Sequence, residues 1–172
     1  MTPIAVLVGA PGAGKSTVGR RLAAALDVDF ADSDALIEAD AGMSVSDIFV
    51  TMGEPEFRAR EEAVIATALE ERTGVLALGG GAIMNADTRR RLEGVPVIWL
   101  EVDLSAATKR VGMNKARPLL LGDVRAQMSR LMKERAPLYE EAATIRLNTS
   151  GMKVREVVDT LVEQLQAGVA HE

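Results

Sequence analysis

Short apolar runs, separated by longer stretches of mixed polar and apolar residues, set the pattern of this chain. The runs lie at 4–8, 75–78, 95–102 and about 143–147, with a shorter one near 28–31. Each run has the length of a buried strand, whereas the stretches between them are long enough for helices. This alternation predicts an α/β fold with a parallel sheet of four or five strands.

The stretches between the runs carry helix periodicity and helix start signals. Val18, Leu22 and Leu26 recur on one face of the first stretch, and Ser44 is a residue type that caps helix N-termini. We therefore predict helices over 15–26, 54–72, 124–135 and 154–165. Further helices are predicted from the cap Ser44 onward, over 85–92 with Asn85 as the cap, and over 105–111 with Ser105 as the cap. Residues 166–172 are predicted to be a frayed tail.

Composition narrows the classes of function. The 172-residue chain has three Phe, one Trp, one Tyr, no cysteine and a net charge of −5. So few aromatics give no stacking platform for single-stranded nucleic acid, and the acidic balance disfavours a basic surface for DNA or membranes.

The length fits a single domain over 1–172, and the lack of cysteine fits a reducing cytoplasm. The first apolar run is too short for a signal peptide. We expect a cytoplasmic monomer that acts on small molecules.

The strongest chemical signal is the segment 9–16, GAPGAGKS, which directly follows the first apolar run. This context supports the phosphate-binding pattern GxxxxGK[ST]. Gly12 and Gly14 allow backbone N–H groups to point at phosphate oxygens, Lys15 reaches the β- and γ-phosphates, and Ser16 offers its hydroxyl to Mg²⁺. An ordinary glycine-rich turn is the alternative, but spacing, lysine, hydroxyl and preceding strand all agree. The sequence predicts nucleoside triphosphate binding with Mg²⁺.

Two carboxylates, Asp32 and Asp34, follow the second predicted strand. Ligands of open α/β sheets bind at the carboxyl ends of the strands, so both side chains are candidates for the site. One carboxylate near Ser16 would bind Mg²⁺ through water, and the other would accept a hydrogen bond from an attacking hydroxyl. The alternative is a solvated turn in which Ser33 or Asp34 caps the next helix. Because the chain also carries the phosphate loop, we favour a functional role for these carboxylates over a solvated turn.

Several arginines are candidates for anion binding. Arg58 lies three or four residues before Glu61 and Glu62, a spacing that alone indicates a surface ion-pair ladder. A planar guanidinium also suits a substrate carboxylate, because it donates two parallel hydrogen bonds. Arg135, on the basic helix, is a candidate to hold the acceptor substrate in the same way.

A second glycine-rich loop and an aperiodic segment complete the candidate chemistry. The loop at 79–81 ends a strand with three glycines, which favours a wall where a ligand touches backbone N–H groups over a mobile turn. Residues 112–124 have no clean period and are interrupted by glycine and proline, which is typical of a lid. Arg117 within it would offset charge on a transferring phosphoryl group.

Together these motifs resemble shikimate kinases in order and spacing over nearly the whole chain. They are the phosphate loop, DSD at 32–34, FR at 57–58, GGG at 79–81, RPL at 117–119 and RAPLY at 135–139. The resemblance implies the nucleoside monophosphate kinase-like fold: three layers, a five-stranded parallel sheet with helices on both faces, a substrate-binding helical region at about 32–61 and a mobile lid at about 112–124.

The same resemblance implies phosphoryl transfer from ATP to shikimate, which gives shikimate 3-phosphate and ADP in chorismate and aromatic amino acid biosynthesis. Gluconate and nucleotide kinases share the fold and the phosphate loop, so another small-molecule kinase such as a gluconate kinase is the alternative. A nucleotide-dependent switch without catalysis is a third possibility, from a different class of protein.

Roles for individual residues also follow from the resemblance. On the ATP side it implies contacts from Gly12, Ala13, Gly14, Lys15, Ser16, Thr17, Arg110 and Arg117. On the shikimate side it implies contacts from Asp34, Arg58, Gly79, Gly80, Gly81 and Arg135. Ser16 and, through water, Asp32 would hold Mg²⁺. Lys15, Asp34 and Arg117 would be catalytic. Adenine contacts around 148–154 stay open.

Overall fold

Five parallel strands form the centre of the molecule. The computed structural model describes residues 1–113 and 123–169. Arg117, most of the predicted lid and the end of the predicted tail lie outside these ranges. In the described part the sheet order is β2-β3-β1-β4-β5, and every pairing is parallel. The strands are β1 (Ala5–Val8), β2 (Phe30–Asp32), β3 (Val75–Ala77), β4 (Val97–Glu101) and β5 (Ile145–Asn148).

Helices cover both faces of this sheet. They are α1 (Lys15–Ala25), α2 (Ser33–Ala41), α3 (Val45–Met52), α4 (Glu54–Glu71), α5 (Ala86–Arg91), α6 (Leu104–Met113), α7 (Val124–Ala142) and α8 (Val154–Val169), with a 3₁₀ turn at Ala82–Met84. Along β1, Ala5 and Leu7 join the core on one face, whereas Val6 and Val8 join the core on the other. Strands buried on both faces explain the continuous apolar runs. The predicted three-layer α/β fold is confirmed.

A separate small core holds α2, α3 and α4 together beside the sheet. Ile37, Ile48 and Phe57 are buried in it, and the rings of Phe49 and Phe57 lie 4.5 Å apart. The predicted cap Ser44 starts α3, because its Oγ accepts a hydrogen bond from Asp47 N at 3.0 Å. These helices therefore form a unit that can hold side chains next to the sheet.

Two helix ends were predicted too early. The helix expected to end at Arg135 continues to Ala142, with Pro137 inside it. A proline removes one backbone hydrogen bond, but Tyr139 is buried against the sheet, and this packing stabilises the helix beyond it. The last helix also reaches Val169 rather than residue 165, so the predicted fraying is wrong for the residues up to 169.

One helix start was predicted wrongly, and another helix was not predicted. Helix α6 begins at Leu104, so Ser105 lies inside it and is not its cap. Helix α2 received no predicted span, and its cap is neither Ser33 nor Asp34. The Asp32 carboxylate caps it by accepting from the backbone N–H groups of Asp34 and Ala35. The cap predicted at Asn85 is confirmed, since its Oδ1 accepts from Thr88 N at 3.0 Å.

Parallel pairing brings the carboxyl ends of the strands to one edge of the sheet. The phosphate loop follows β1, Asp32 ends β2, and the three glycines follow β3. This edge is where open α/β sheets bind ligands. Among the described residues, none of the helices has both the length and the apolar character needed to span a bilayer.

Candidate active site

The loop from Gly9 to Lys15 has a backbone that only glycine tolerates at key points. Gly12 has φ 81° and Gly14 has φ 86°, both in the left-handed region. A β-carbon at Gly12 would also lie 2.8 Å from the Ala107 carbonyl oxygen of α6. The glycines therefore let the loop turn tightly against α6 and place the positive N-terminus of α1 at the sheet edge.

Lys15 is held inside this loop. Its side chain is buried, and its Nζ donates hydrogen bonds to the carbonyl oxygens of Gly9 at 2.9 Å and Ala10 at 3.0 Å. Arg110 of α6 donates to the Gly12 carbonyl at 2.9 Å from outside the loop. Two cations thus lie against a loop whose N–H groups attract anions, which suits a chain of phosphate groups.

Ser16 and Asp32 meet between α1 and the end of β2. The Ser16 hydroxyl donates to Asp32 Oδ2, while Asp32 Oδ1 caps α2 by accepting from Asp34 N at 2.9 Å. Among the described residues no group of three or more His, Cys, Asp or Glu side chains could hold a metal by itself. One hydroxyl and one carboxylate fit Mg²⁺, which keeps several waters and takes its other ligands from substrate phosphates.

A second set of charged side chains converges on the glycine loop after β3. A β-carbon at Gly79 would lie 2.8 Å from Asp34 Oδ1 and 3.2 Å from Glu61 Oε2. A β-carbon at Gly81 would lie 2.5 Å from both terminal nitrogens of Arg58. The absence of side chains on this loop is therefore what lets two carboxylates and a guanidinium approach its backbone. The loop is tied to α2 by the Gly79 N–H, which donates to Ser33 Oγ at 2.9 Å.

Arg58, Glu61 and Arg135 form the charged core of this set. Arg58 donates to Glu61 at 2.8 Å, and Glu61 is only 3% exposed. Arg135 is 6% exposed, and its Nε has no hydrogen-bond partner among the described residues. Buried guanidinium N–H groups are normally paired, so these two arginines are suited to receive a carboxylate.

Burial raises the pKa of the Glu61 carboxyl, because desolvation disfavours its charged form. The charge and hydrogen bond of Arg58 oppose this rise, the nearby Asp34 adds to it, and Arg135 opposes it. The sequence indicated Glu61 only as a surface partner of Arg58. The signal that could have shown its burial is its position on the same helix face as Phe57 and Ile65, both of which are buried.

The predicted residues thus fall into two adjoining groups. We call residues 9–16 with Asp32 the loop end, and Asp34, Arg58, Glu61, residues 79–81 and Arg135 the guanidinium end. The ends meet where a β-carbon at Gly80 would lie 2.8 Å from Pro11 Cδ. Thr17 is exposed at the start of α1, and Arg110 borders the loop. Arg117 lies outside the described residues.

Comparisons with known proteins agree on one family. The family model described as "Shikimate kinase" matches residues 11–166. The shikimate kinase of Thermobifida fusca is 52% identical over 165 residues, which cover 96% of this chain and 96% of that protein. The shikimate kinase of Mycobacterium tuberculosis is 48% identical over 167 residues, which cover 96% of this chain and 95% of that protein.

Solved structures extend this agreement to the fold. Shikimate kinase from Acinetobacter baumannii, in complex with shikimate, superposes with a TM-score of 0.93 at 35% identity, covering 98% of this chain and 94% of that one. A gluconokinase from Sinorhizobium meliloti shares the fold alone, with a TM-score of 0.61 at 16% identity, covering 96% of this chain and 93% of that one.

Proposed function

This chain belongs to the shikimate kinase family, and we propose accordingly that it transfers the γ-phosphoryl group of ATP to the 3-hydroxyl of shikimate. The products are shikimate 3-phosphate and ADP, and the reaction serves chorismate and aromatic amino acid biosynthesis. The observation that carries the proposal is the pair Arg58 and Arg135, which both act on the buried Glu61 carboxyl, have an Nε without a hydrogen-bond partner among the described residues, and suit a small carboxylate acceptor. Gluconate carries a carboxylate too, but the gluconokinase likeness stops at the fold.

At the loop end, the backbone of Gly12, Ala13 and Gly14 would bind phosphate oxygens. Lys15 would exchange the carbonyls of Gly9 and Ala10 for the β- and γ-phosphate oxygens and stabilise the charge of the transferring group. Thr17, at the exposed start of α1, would contact the α-phosphate. Arg110 would pack near adenine, because it borders the same loop.

Ser16 and Asp32 would hold Mg²⁺, Ser16 directly and Asp32 through water. The hydroxyl that now donates to Asp32 supplies the direct ligand, and the α2 cap keeps the carboxylate oriented toward it. When bound, Mg²⁺ neutralises charge on the β- and γ-phosphates.

At the guanidinium end, Arg58 and Arg135 would clamp the shikimate carboxylate, with Gly79, Gly80 and Gly81 as the wall of the pocket. Asp34 would accept a hydrogen bond from the attacking hydroxyl. As the new O–P bond forms and the bond from phosphorus to the ADP oxygen breaks, the hydroxyl proton passes to the Asp34 carboxylate. Phosphoryl transfer needs mainly alignment and charge stabilisation, so a carboxylate is a sufficient base.

Arg117 would complete the charge stabilisation when the lid at about 112–124 closes, a role that rests on the family resemblance alone. The helical region at about 32–61 would bind shikimate, since it supplies Asp34 and Arg58 and has its own small core. We also propose a monomer with one domain over 1–172, because one chain supplies the residues of both ends. We propose the cytoplasm as its location, since a chain without cysteine fits a reducing compartment.

A coupled assay of ADP release tests the proposal directly. Mg²⁺ and ATP are supplied with shikimate, gluconate or nucleoside monophosphates in parallel reactions. We expect ADP release that depends on shikimate. Release that depends on gluconate or a nucleotide instead would leave the phosphate loop assignment in place but overturn the roles of Asp34, Arg58 and Arg135.

A further inference from the structure

One buried hydroxyl contacts the glycine loop without belonging to the groups described above. The Tyr139 hydroxyl of α7 donates a hydrogen bond to the Gly80 carbonyl oxygen at 2.6 Å. The Tyr139 ring is 2% exposed and stacks on Trp99, with the ring centroids 5.6 Å apart. Packing therefore fixes the ring, and the ring fixes one carbonyl of the loop.

This hydrogen bond also sets the direction of a neighbouring donor. The Gly80 carbonyl and the Gly81 N–H belong to one planar peptide unit, and in a trans peptide they point in opposite directions. The Gly81 N–H is thus directed away from Tyr139, and no hydrogen-bond acceptor for it lies among the described residues. Arg58 lies directly against the Gly81 α-carbon, so this N–H is next to the clamp.

Helix α7 carries both Arg135 and the Tyr139 hydroxyl that binds the glycine loop. Arg135 and Tyr139 are four residues apart, so they share one face of the helix. The same face therefore presents a guanidinium to the guanidinium end and a phenol to the loop. A shift of the loop relative to Arg135 would break the Tyr139 hydrogen bond.

We propose that Tyr139 is a positioning residue for acceptor binding. Its hydroxyl holds the Gly80–Gly81 peptide so that the Gly81 N–H, together with Arg58 and Arg135, receives the carboxylate of the acceptor. This inference rests on the proposed function and deepens it. What it adds is the residue that holds this backbone donor in place, through the hydroxyl that donates to the Gly80 carbonyl.

The variant Tyr139→Phe tests the role, because it keeps the aromatic ring on Trp99 and removes only the hydroxyl. Loss of one oriented hydrogen bond should raise the KM for shikimate about tenfold. The KM for ATP should change less than about twofold, since the loop end keeps its own contacts. An unchanged KM for shikimate, or equal increases for both substrates, would overturn the proposal.

Thr144→Val is the matched control for loss of a structural hydroxyl. Thr144 Oγ1 accepts from Val97 N at 2.9 Å and donates to Val97 O at 3.2 Å, at the opposite edge of the sheet. Both variants lose a hydrogen-bonded hydroxyl, so both should unfold at lower urea concentration than the wild type. Only Tyr139→Phe should raise the KM for shikimate. The same KM change in both variants would reduce Tyr139 to a structural role.

A second readout identifies the group that is recognised. We compare kcat/KM for shikimate with kcat/KM for its methyl ester, which lacks the anionic carboxylate. Tyr139→Phe should lower the ratio of the two values relative to the wild type, whereas an unchanged ratio would contradict recognition through the Gly81 N–H. Wild-type enzyme without shikimate-dependent ADP release would instead contradict the proposed function, so the two failures are distinguishable.

Discussion

The two ends of the site are built in different ways. The loop end comes from one contiguous segment plus Asp32, and much of it is backbone: glycine N–H groups and the carbonyls that hold Lys15. The guanidinium end comes from α2, α4, the loop after β3 and α7, and charged side chains supply most of it. Recognition by backbone suits a phosphate chain, whereas side chains from separate elements can select one acceptor.

This difference implies that substitutions can affect phosphoryl transfer from ATP and binding of the acceptor separately. The ends touch at Gly80 and Pro11, but their charged groups have different partners. A change at the loop end should reduce the rate of transfer. A change at the guanidinium end should chiefly weaken binding of the acceptor.

Removing the ammonium of Lys15 should have the largest effect. Lys15→Ala should lower kcat by at least about 1,000-fold, because charge that develops in the transition state loses a preorganised partner. The fold should persist, which circular dichroism and thermal unfolding can check. Steady-state assays at saturating ATP and shikimate measure the loss.

Lys133→Ala is the matched control for Lys15, since it removes an exposed lysine from α7. Its kcat should stay within about twofold of the wild type, as is usual for surface substitutions. A Lys15→Ala enzyme that kept most of its activity would show that the loop is not the phosphate site.

Removing either guanidinium should distinguish most clearly between binding of shikimate and binding of ATP. Arg58→Ala and Arg135→Ala should each raise the KM for shikimate about 100-fold, near the upper value for loss of a charged hydrogen bond. The KM for ATP should change far less. Initial rates over a grid of both substrate concentrations give both constants.

Arg60→Ala controls for loss of an arginine from α4. Arg60 pairs with Glu56 at 3.2 Å and with Asp40 at 3.7 Å, at the surface of the helix. Surface pairs contribute little, so neither KM should change appreciably. If Arg58→Ala or Arg135→Ala raised the KM for shikimate and the KM for ATP equally, the two ends of the site would not bind separate substrates.

The same contrast explains what the sequence could predict. The strand, loop and helix that make the loop end are adjacent in the chain, so the local pattern at 9–16 carries nearly all the information. The central strands β1, β3 and β4 were also predictable, because each is buried on both faces and lies in a continuous apolar run. At the guanidinium end, Arg58 and Arg135 were candidates, but their approach to the same buried Glu61 carboxyl depends on tertiary packing.

Local signals failed where packing overrides them. The helix was predicted to end at Arg135, yet burial of Tyr139 keeps α7 helical past Pro137 to Ala142 and creates the contact with Gly80. Glu61 looked like part of a solvated ladder, because burial is not encoded in charge spacing. Helix α2 is short and carries several carboxylates, so its apolar period is weak.

A smaller effect is expected where the loop end meets α2. Asp32→Asn should raise the Mg²⁺ concentration for half-maximal activity about tenfold, the lower end for loss of a group that binds metal through water. Asparagine caps helices as well as aspartate, so stability should change little. Activity is measured against free Mg²⁺ at constant ATP, with urea unfolding in parallel.

Ser44→Ala is the corresponding control for helix capping. It removes the cap of α3 and should lower the free energy of unfolding by about 1 kcal/mol. The Mg²⁺ requirement should not move, because Ser44 lies away from Ser16 and Asp32. An unchanged Mg²⁺ requirement in Asp32→Asn would show that Asp32 is a helix cap and not a metal residue.

The smallest expected effect concerns the protonation of Glu61. Burial raises the pKa of this carboxyl in the folded protein, so the folded state keeps its proton at pH values where the unfolded chain has released it. As pH rises through this window, from the ordinary carboxyl pKa to the raised one, the wild type should lose stability. Glu61→Gln cannot titrate, so the wild type should become less stable relative to this variant as pH rises.

Urea unfolding of both proteins between about pH 4 and pH 8 measures this difference. Glu71→Gln, which removes an exposed negative charge from the same helix, controls for the change in net charge. A difference between wild type and Glu61→Gln that stays constant with pH would show that Arg58 and Arg135 offset the burial completely. The opposite trend would show that they outweigh it, and the guanidinium end would then hold an ionised Glu61 by attraction alone.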